Sequence, residues 1–424
     1  MHAILTPVGS AGDVNPFVMI GRELCRRGHR VTLVAPDVFG PVAVKAGIEF
    51  ASVGTAEEYD RVTTNPELWD PRRGLRVVLG EIASRLRRGY AALEELYRPR
   101  ETLVVGHSLS IFARVFEETH HAPATTIHLA PSVFRSDFRQ PALPFVPDFS
   151  GWPRWVKRTV WWIGDRIALD PLIAPALNAW RAELGLPPVS RVFKSWFHSP
   201  QRVIGLFPDW FAEPQSDWPP QLRVTGFVLS DQTCQVPDAG ADDMLLEQFL
   251  LGGDSPVVFT PGSANRHATD FFRSAVDAIR SLGCRGLIVT PYRDHLPPSL
   301  PASIHHAGYA SFATLFPRVR AVVHHGGVGT CAQALAAGVP QVVMPMGFDQ
   351  PDNASRLARL KVGETIPPRR FTGGRVAAAL ERLLGGTEVV AACADCRDRI
   401  AATNATRSAC DLIEEHFDRF NGLA

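Results

Sequence analysis

The sequence predicts an α/β protein built from two doubly wound, Rossmann-like domains that face a central cleft. Three observations carry this. The 424 residues are enough for two domains of ordinary size. Apolar strands alternate with helical patterns through both halves, the sign of βαβ units and a parallel sheet. A polar stretch rich in Asp, Pro and Gly, "SDQTCQVPDAGADD", separates the halves and reads as a linker.

The first half opens with "HAILTPV", an apolar strand, followed by the glycine loop "GSAGD". Helical spacing of Phe17, Ile20 and Leu24 predicts a helix over 16–27 that Gly28 stops, with Asn15 and Pro16 as its N-cap and first residue. "HRVTLVAP", "TLVVGHS" and "ATTIHLAPS" are the next buried strands. Residues 152–186 change to an amphipathic helix rich in tryptophan. "QRVIGLFPDWF" and "LRVTGFVL" return to strand. After the linker, "SPVVFTPGSAN" is strand then Gly-Ser loop, and 271–282 is a helix closed by Gly283. "RGLIVTP" and "RAVVHHGG" are strands. A helix over 330–337 ends at Gly338, and "VPQVVMP" is a strand. The tail "ATRSACDLIEEHFDRF" is a final helix with Leu412, Ile413, Phe417 and Phe420 at helical spacing. The predicted domains are 1–230 and 243–403, with the helix 404–424 packing back on the first.

Composition excludes several classes. Apolar residues make up 46% and charged residues 21%, as in globular proteins. The net charge of +1 supplies no bulk field for nucleic acid or an acidic membrane, and no nucleic-acid partner is expected. No apolar run has the roughly 18 residues of a spanning helix, and no secretory signal opens the chain. A cytoplasmic protein is the expectation. Of seven cysteines, Cys393 and Cys396 form one CxxC, which leaves a metal or redox pair open beside plain helix cysteines.

The chemistry concentrates in "VVHHGGVGT", residues 322–330. A buried strand runs into His324, His325 and three glycines, and a helix follows. Glycines let backbone approach a ligand, and a helix start offers unpaired N–H groups and partial positive charge. That suits a phosphate. His325 and Thr330 add side-chain donors. A tight turn with surface histidines is the bland alternative.

The longer stretch "HHGGVGTCAQALAAGVPQVVMPMGFDQPDNASRL" resembles the donor-binding signature of family-1 nucleotide-sugar glycosyltransferases of the GT-B fold. "GSAGDVNPF", the linker position and the closing helix extend the resemblance along the whole chain. "NPELWDP", "HSPQRVIGLFPDWF" and "DWPPQLRVTGF" make it most similar to the bacterial rhamnolipid rhamnosyltransferases, beside sterol and antibiotic glycosyltransferases. The resemblance implies that His325, Gly327, Gly329 and Thr330 meet the donor diphosphate. It implies that Asp349 and Gln350 hold the donor sugar, and that Ser263, Tyr309 and Gln333 meet the nucleoside. Many relatives carry glutamate where this chain has Gln333, so a charge-assisted bond to the ribose is lost.

Inverting transfer needs a base for the acceptor hydroxyl. Relatives with a "GDV" loop assign that role to the aspartate found here as Asp13; the alternative is that Asp13 caps the helix. His107 and His128 follow strands of the same domain and face the predicted cleft mouth, with satisfied core or rim histidines as the commoner alternative to direct chemistry. With Trp161 and Trp162 they are the candidate acceptor pocket, set against a reading of these tryptophans as helix-packing core. An apolar wall favours a hydrophobic small-molecule acceptor: a hydroxy fatty acid, sterol or polyketide. A peripheral membrane contact stays open, although Asp165, Arg166 and Asp170 interrupt the apolar face. No cofactor and no metal are expected. The sequence thus predicts an inverting, metal-independent hexose transfer from a UDP- or dTDP-sugar. The rivals are a sugar-nucleotide epimerase and a non-catalytic sugar-nucleotide binding partner.

Overall fold

The computed structural model describes every residue except 71, 145, 230–239, 263, 264, 423 and 424, with main chain alone at 240–243. Most of the predicted linker lies outside the described residues. The chain forms two compact units, Met1–Val228 with Ala405–Ala424, and Leu229–Asn404.

In the first unit the strands are β1 (His2–Thr6), β2 (Arg30–Ala35), β3 (Glu49–Ser52), β4 (Thr102–His107), β5 (Ala124–His128), β6 (Arg202–Gly205) and β7 (Leu222–Val224). They form one parallel sheet in the order β3-β2-β1-β4-β5-β6-β7. Strands in such a sheet are covered on both faces, so they read as unbroken apolar runs. β1, β4 and β5 are buried at every position. Ile4, Val34 and Val104 face a core shared with the helices Gly74–Leu96, Ile111–His120 and Asp170–Glu183.

The first helix departs from the sequence expectation. It spans Ala11–Arg26, with Ser10 as N-cap, so Asn15 and Pro16 lie inside it. Ser10 and Asp13 form a capping box, the carboxylate accepting from the Ser10 N–H at 2.7 Å. This local bond outweighs the preference of Asn-Pro for a helix start. Pro16, inside the helix, forfeits the hydrogen bond to the Gly12 carbonyl.

The predicted helix over 152–186 is three segments: an α-helix Arg154–Gly164, a π-helical turn Asp165–Leu169, and an α-helix Asp170–Glu183. The short strand β3 was not foreseen.

The terminal helix Ala405–Phe420 belongs to the first unit and lies on the helix Ala11–Arg26. Its buried stripe is Ala409, Cys410, Ile413, His416 and Phe417, whereas Leu412 is half-buried and Phe420 exposed. Polar bonds fix its register. Arg27 donates to Asp411 at 2.7 Å, and His416 Nδ1 bonds Thr125 at 2.8 Å.

In the second unit the strands are β8 (Val257–Thr260), β9 (Gly286–Val289), β10 (Ile304–Ala307), β11 (Ala321–His324), β12 (Gln341–Val343) and β13 (Gly363–Thr365). Their parallel order is β10-β9-β8-β11-β12-β13. The pleat divides the core. Val257, Phe259 and Val323 point to one cluster, and Val258 and Val322 to the other. The CxxC cysteines sit on the helix Thr387–Ala401, both buried, and burial pushes their thiols up to about 12 and about 11. Neutral, buried thiols are poor nucleophiles and poor ligands.

Ile413 is fully buried where the terminal helix meets the first unit. Ile413→Ala is expected to lower stability by about 2–5 kcal/mol, read as an earlier urea unfolding transition.

Candidate active site

Ligands of open parallel sheets bind beyond the carboxyl ends of the strands, where the strand order reverses. Each sheet here has one such point. In the first unit it lies between β1 and β4, in the second between β8 and β11.

At the first switch point the loop after β1 carries Gly9 and Ser10, and the first helical turn carries Asp13. Gly9 has a φ of +134°, and a Cβ there would lie 2.2 Å from Asp13 Oδ2. Glycine is therefore required for the carboxylate to fold back under its own loop. Asp13 Oδ2 takes both Ser10 bonds, from the main-chain N–H and from the hydroxyl at 3.1 Å. Burial pushes the carboxyl up to about 6, against the downward pull of the Ser10 bonds. Thr6, ending β1, bonds Ser110 of the loop after β4 at 2.8 Å and ties the two loops together.

His107 and His128 are not open to solvent, in keeping with the reading of them as core histidines. His107 is buried, its ring edge-on to Phe17 at 6.1 Å, and burial holds it down at about 4. His128 is wholly buried among Phe134, Phe197 and His198, and its Nε2 bonds His198 Nδ1 at 2.8 Å. Desolvation keeps it neutral, well below the usual histidine range. Strands ending in a packed core explain both positions. Trp161 and Trp162 do not form one wall. Trp161 turns inward against Phe149 and the Arg135 guanidinium, while Trp162 turns outward. Adjacent helical residues point about 100° apart.

At the second switch point the two histidines part company. His324, the last residue of β11, is fully buried; its Nε2 bonds the Gln341 amide oxygen at 2.9 Å. Its Nδ1 accepts from the Gly326 N–H at 3.1 Å. The Gly326 carbonyl in turn accepts from Asn353 Nδ2 at 2.9 Å, and the same amide donates to Asp349 Oδ2 at 2.7 Å. Gly326 has a φ of +94°, so the left-handed turn is pinned on both sides. Burial pushes His324 down to about 3 and His325 to about 4, so both are neutral near pH 7.

His325 has the opposite environment. Its ring is wedged between two glycines. A Cβ at Gly262 would lie 2.6 Å from its Cε1, and one at Gly327 2.5 Å from its Nε2. Its Nδ1 is buried with no hydrogen-bond partner among the described residues. A buried polar atom without a partner calls for one. The helix that follows spans Val328–Ala337, two residues earlier than expected, with Gly327 as N-cap. Thr330 and Gln333 lie buried in its first two turns, and Gly329 is exposed.

Asp349 is the N-cap of the helix Gln350–Arg359. Gln350 is buried, and its amide oxygen accepts from Met346 N at 2.8 Å and Gly347 N at 3.2 Å. That oxygen thus holds the loop, a role the sequence did not suggest. Phe348 completes the loop with a φ of +55°, strained for a side chain of its size. Tyr309 is half-buried in the loop after β10. Ser263 lies outside the described residues. Among those residues no group of three or more His, Cys, Asp or Glu side chains is arranged to hold a metal ion.

Asn353, Gln341 and Ser10 were missed from the sequence. Two had a signal: Asn353 lies one helical turn after Asp349, and Ser10 stands three residues before an acid.

Comparison with known proteins agrees with this architecture. Residues 3–86 match the glycosyltransferase family 28 N-terminal domain, and residues 287–414 match the erythromycin biosynthesis protein CIII-like C-terminal domain. The chain is 30% identical to O-mycaminosyltylonolide 6-deoxyallosyltransferase of Streptomyces fradiae, covering 98% of this chain and 97% of that one. In fold it is similar to the kitacinnamycin glycosyltransferase, with a TM-score of 0.74 at 22% identity over 98% of this chain and 99% of the other. It is also similar to the spinosyn rhamnosyltransferase SpnG complexed with thymidine diphosphate, with a TM-score of 0.69 at 18% identity over 98% of this chain and 100% of the other. From a two-sheet α/β architecture with a glycine-lined helix start after β11, and from a relative matched along nearly its full length, the chain belongs to the glycosyltransferases of the two-domain GT-B fold.

Proposed function

We propose that the enzyme transfers a hexose, with inversion and without a metal, from a UDP- or dTDP-sugar to a hydroxyl of a hydrophobic small molecule. The observation that carries this reading is the division of labour between His324 and His325. One is spent on holding the loop, and the other keeps a buried nitrogen, unpaired among the described residues, beside a helix N-terminus.

In this reading the second unit takes the donor. The N–H groups of Gly327 to Thr330 and one ring N–H of neutral His325 donate to the diphosphate. The charge that builds on the leaving group is met by these fixed donors and the helix start. Asp349 accepts from hydroxyls of the sugar, while the Gln350 amide keeps its loop in place. Tyr309 and Gln333 lie toward the nucleoside. A deoxysugar donor is supported by the relative named as a 6-deoxyallosyltransferase, and a thymidine nucleotide by the one complexed with thymidine diphosphate.

The first unit takes the acceptor. Its hydroxyl oxygen attacks the anomeric carbon as the bond from that carbon to the diphosphate oxygen breaks. The nucleoside diphosphate leaves with the electron pair, and the acceptor proton passes to Asp13. Oδ2 is tied to Ser10, so Oδ1 is the oxygen assigned to the proton. A carboxyl raised to about 6 is a stronger base than an exposed aspartate yet is ionised at neutral pH. A macrolide-like acceptor is supported by the tylonolide named for the Streptomyces relative.

Asp13→Asn keeps an acceptor for Ser10 and removes the base. Turnover is expected to fall by roughly 10² to 10⁴ in a mass-detected transfer assay, while nucleotide affinity holds. Activity within a few-fold of wild type rejects Asp13 as the base.

Because the folded carboxyl binds its proton more tightly than an unfolded one, ionising Asp13 lowers stability as pH rises from about 4 to about 6. Above that window Asp13→Asn is expected to melt no lower than wild type. In the wild type, kcat/KM is expected to fall as pH drops below about 6; a flat profile down to pH 5 contradicts the assignment.

Chelator is expected to leave turnover unchanged. Activity lost to chelator and restored by magnesium or manganese would show that fixed N–H donors do not suffice for the diphosphate.

A further inference from the structure

The segment Trp152–Ile167 is folded inside out. On its helix Arg154–Gly164 and the π-helical turn that follows, the residues turned into the protein are Lys157, Trp161 and Asp165. Lys157 donates to the Phe138 carbonyl at 3.3 Å. Asp165 pairs with Arg135, and with Arg191 at 3.1 Å. Burying a lysine and an aspartate requires such partners, and charged residues are seldom buried otherwise. The residues turned outward are Trp152, Trp155, Trp162, Ile163 and Ile167, with Trp155 and Ile167 each 71% exposed. With Phe138, they are six of the thirteen large exposed hydrophobics among the described residues, so the patch is a concentration and not a scatter.

Between 149 and 169 the exposed charges have one sign. Asp165, the only acidic residue between 149 and 169, is buried, so it does not interrupt the face as the sequence suggested. Asp170 lies beyond it and accepts from the main-chain N–H of Arg191 and Val192. Arg154, Arg158 and Arg166 remain exposed around the aromatics. Arg154 lies 4.0 Å over the Phe138 ring and Arg166 5.7 Å over the Trp162 ring. Arg158 pairs with Asp137 at 3.1 Å while most of its surface stays open. Trp155, Trp162, Ile163 and Arg166 fall within a sector of about 100° around the helix.

We infer that this face docks on the surface of an anionic lipid bilayer. Tryptophan rings settle at the boundary between headgroups and acyl chains, with an apolar body below and a polar edge above. Arginines reach past them to lipid phosphates. A helix lying in that plane needs an apolar side and cations along it, with no need to span. Its charge complement is an anionic surface, and no helix of the described residues is long and apolar enough to cross a membrane.

The test needs neither donor nor acceptor, so its failure leaves the proposed reaction standing. The full chain is spun down with sucrose-loaded vesicles of phosphatidylcholine, alone or with phosphatidylglycerol, at low and high salt. Wild type is expected to sediment with the anionic vesicles at low salt and to be released by salt. Trp155→Ser with Trp162→Ser should weaken partitioning by about tenfold or more. Arg154→Gln, Arg158→Gln and Arg166→Gln together should remove the preference for phosphatidylglycerol. All five side chains are exposed, and an unchanged melting temperature confirms that each variant folds. Wild type left in the supernatant at low salt overturns the inference, as does a double tryptophan variant that sediments like wild type. If vesicles are not bound and light scattering finds a dimer that the tryptophan variant abolishes, the face is a contact with a second copy. If vesicles are not bound and the variant instead raises KM for a soluble acceptor, the face belongs to the acceptor.

Discussion

Between β11 and the helix Val328–Ala337 the chain must turn from a buried strand into a helix within three residues, and the peptide of Gly326 holds that turn. Its N–H is taken by His324 and its carbonyl by Asn353, while its φ of +94° excludes a side chain without strain. The hold is layered. Gln341 fixes the His324 ring, and Asn353 fixes Asp349 as well as the glycine. A glycine-rich loop is otherwise an entropic liability. Here its conformation is held by the chain's own side chains, the condition under which backbone donors stabilise charge without reorganising.

The first unit solves a different problem at its own switch point. There the fixed element is a carboxylate, and burial works against it. Asp13 is drawn under the loop by the capping box, in a space that exists because residue 9 has no side chain. The same two Ser10 bonds that make it a cap fix the carboxylate for which the base role is proposed. One geometry is compatible with both the cap and the proposed base. Retaining an ionised carboxylate where desolvation opposes it is a local loss of stability, the kind that persists where function needs it.

Much of this was legible in the sequence because strands of a parallel sheet are buried on both faces and read as apolar runs. β1, β4, β8 and β11 read that way, with a glycine in or just after each. β3 and β13 did not, since "EFAS" and "GET" lie at sheet edges and carry little apolar signal. The start of the first helix was misread because Asn-Pro is a strong local preference, and a side-chain bond from Asp13 to a residue three earlier overrode it. The roles of His324 and His325 follow from the strand's pleat, in which neighbours point to opposite sides. Asn353 was invisible as a functional residue because its partner, the Gly326 carbonyl, lies 27 residues away in sequence. The sequence leaves the tryptophans open between an acceptor wall and helix-packing core; the inward turn of Lys157 and Asp165 separates them into core and surface.

The most direct test of the central claim is a crystal structure of the enzyme with a nucleoside diphosphate. The account predicts a phosphate oxygen within hydrogen-bonding distance of a His325 ring nitrogen and of main-chain N–H groups between Gly327 and Thr330. It predicts the Gly326 peptide still held by His324 and Asn353. A diphosphate bound elsewhere, or one reached only after the Gly326 turn rearranges, would contradict it.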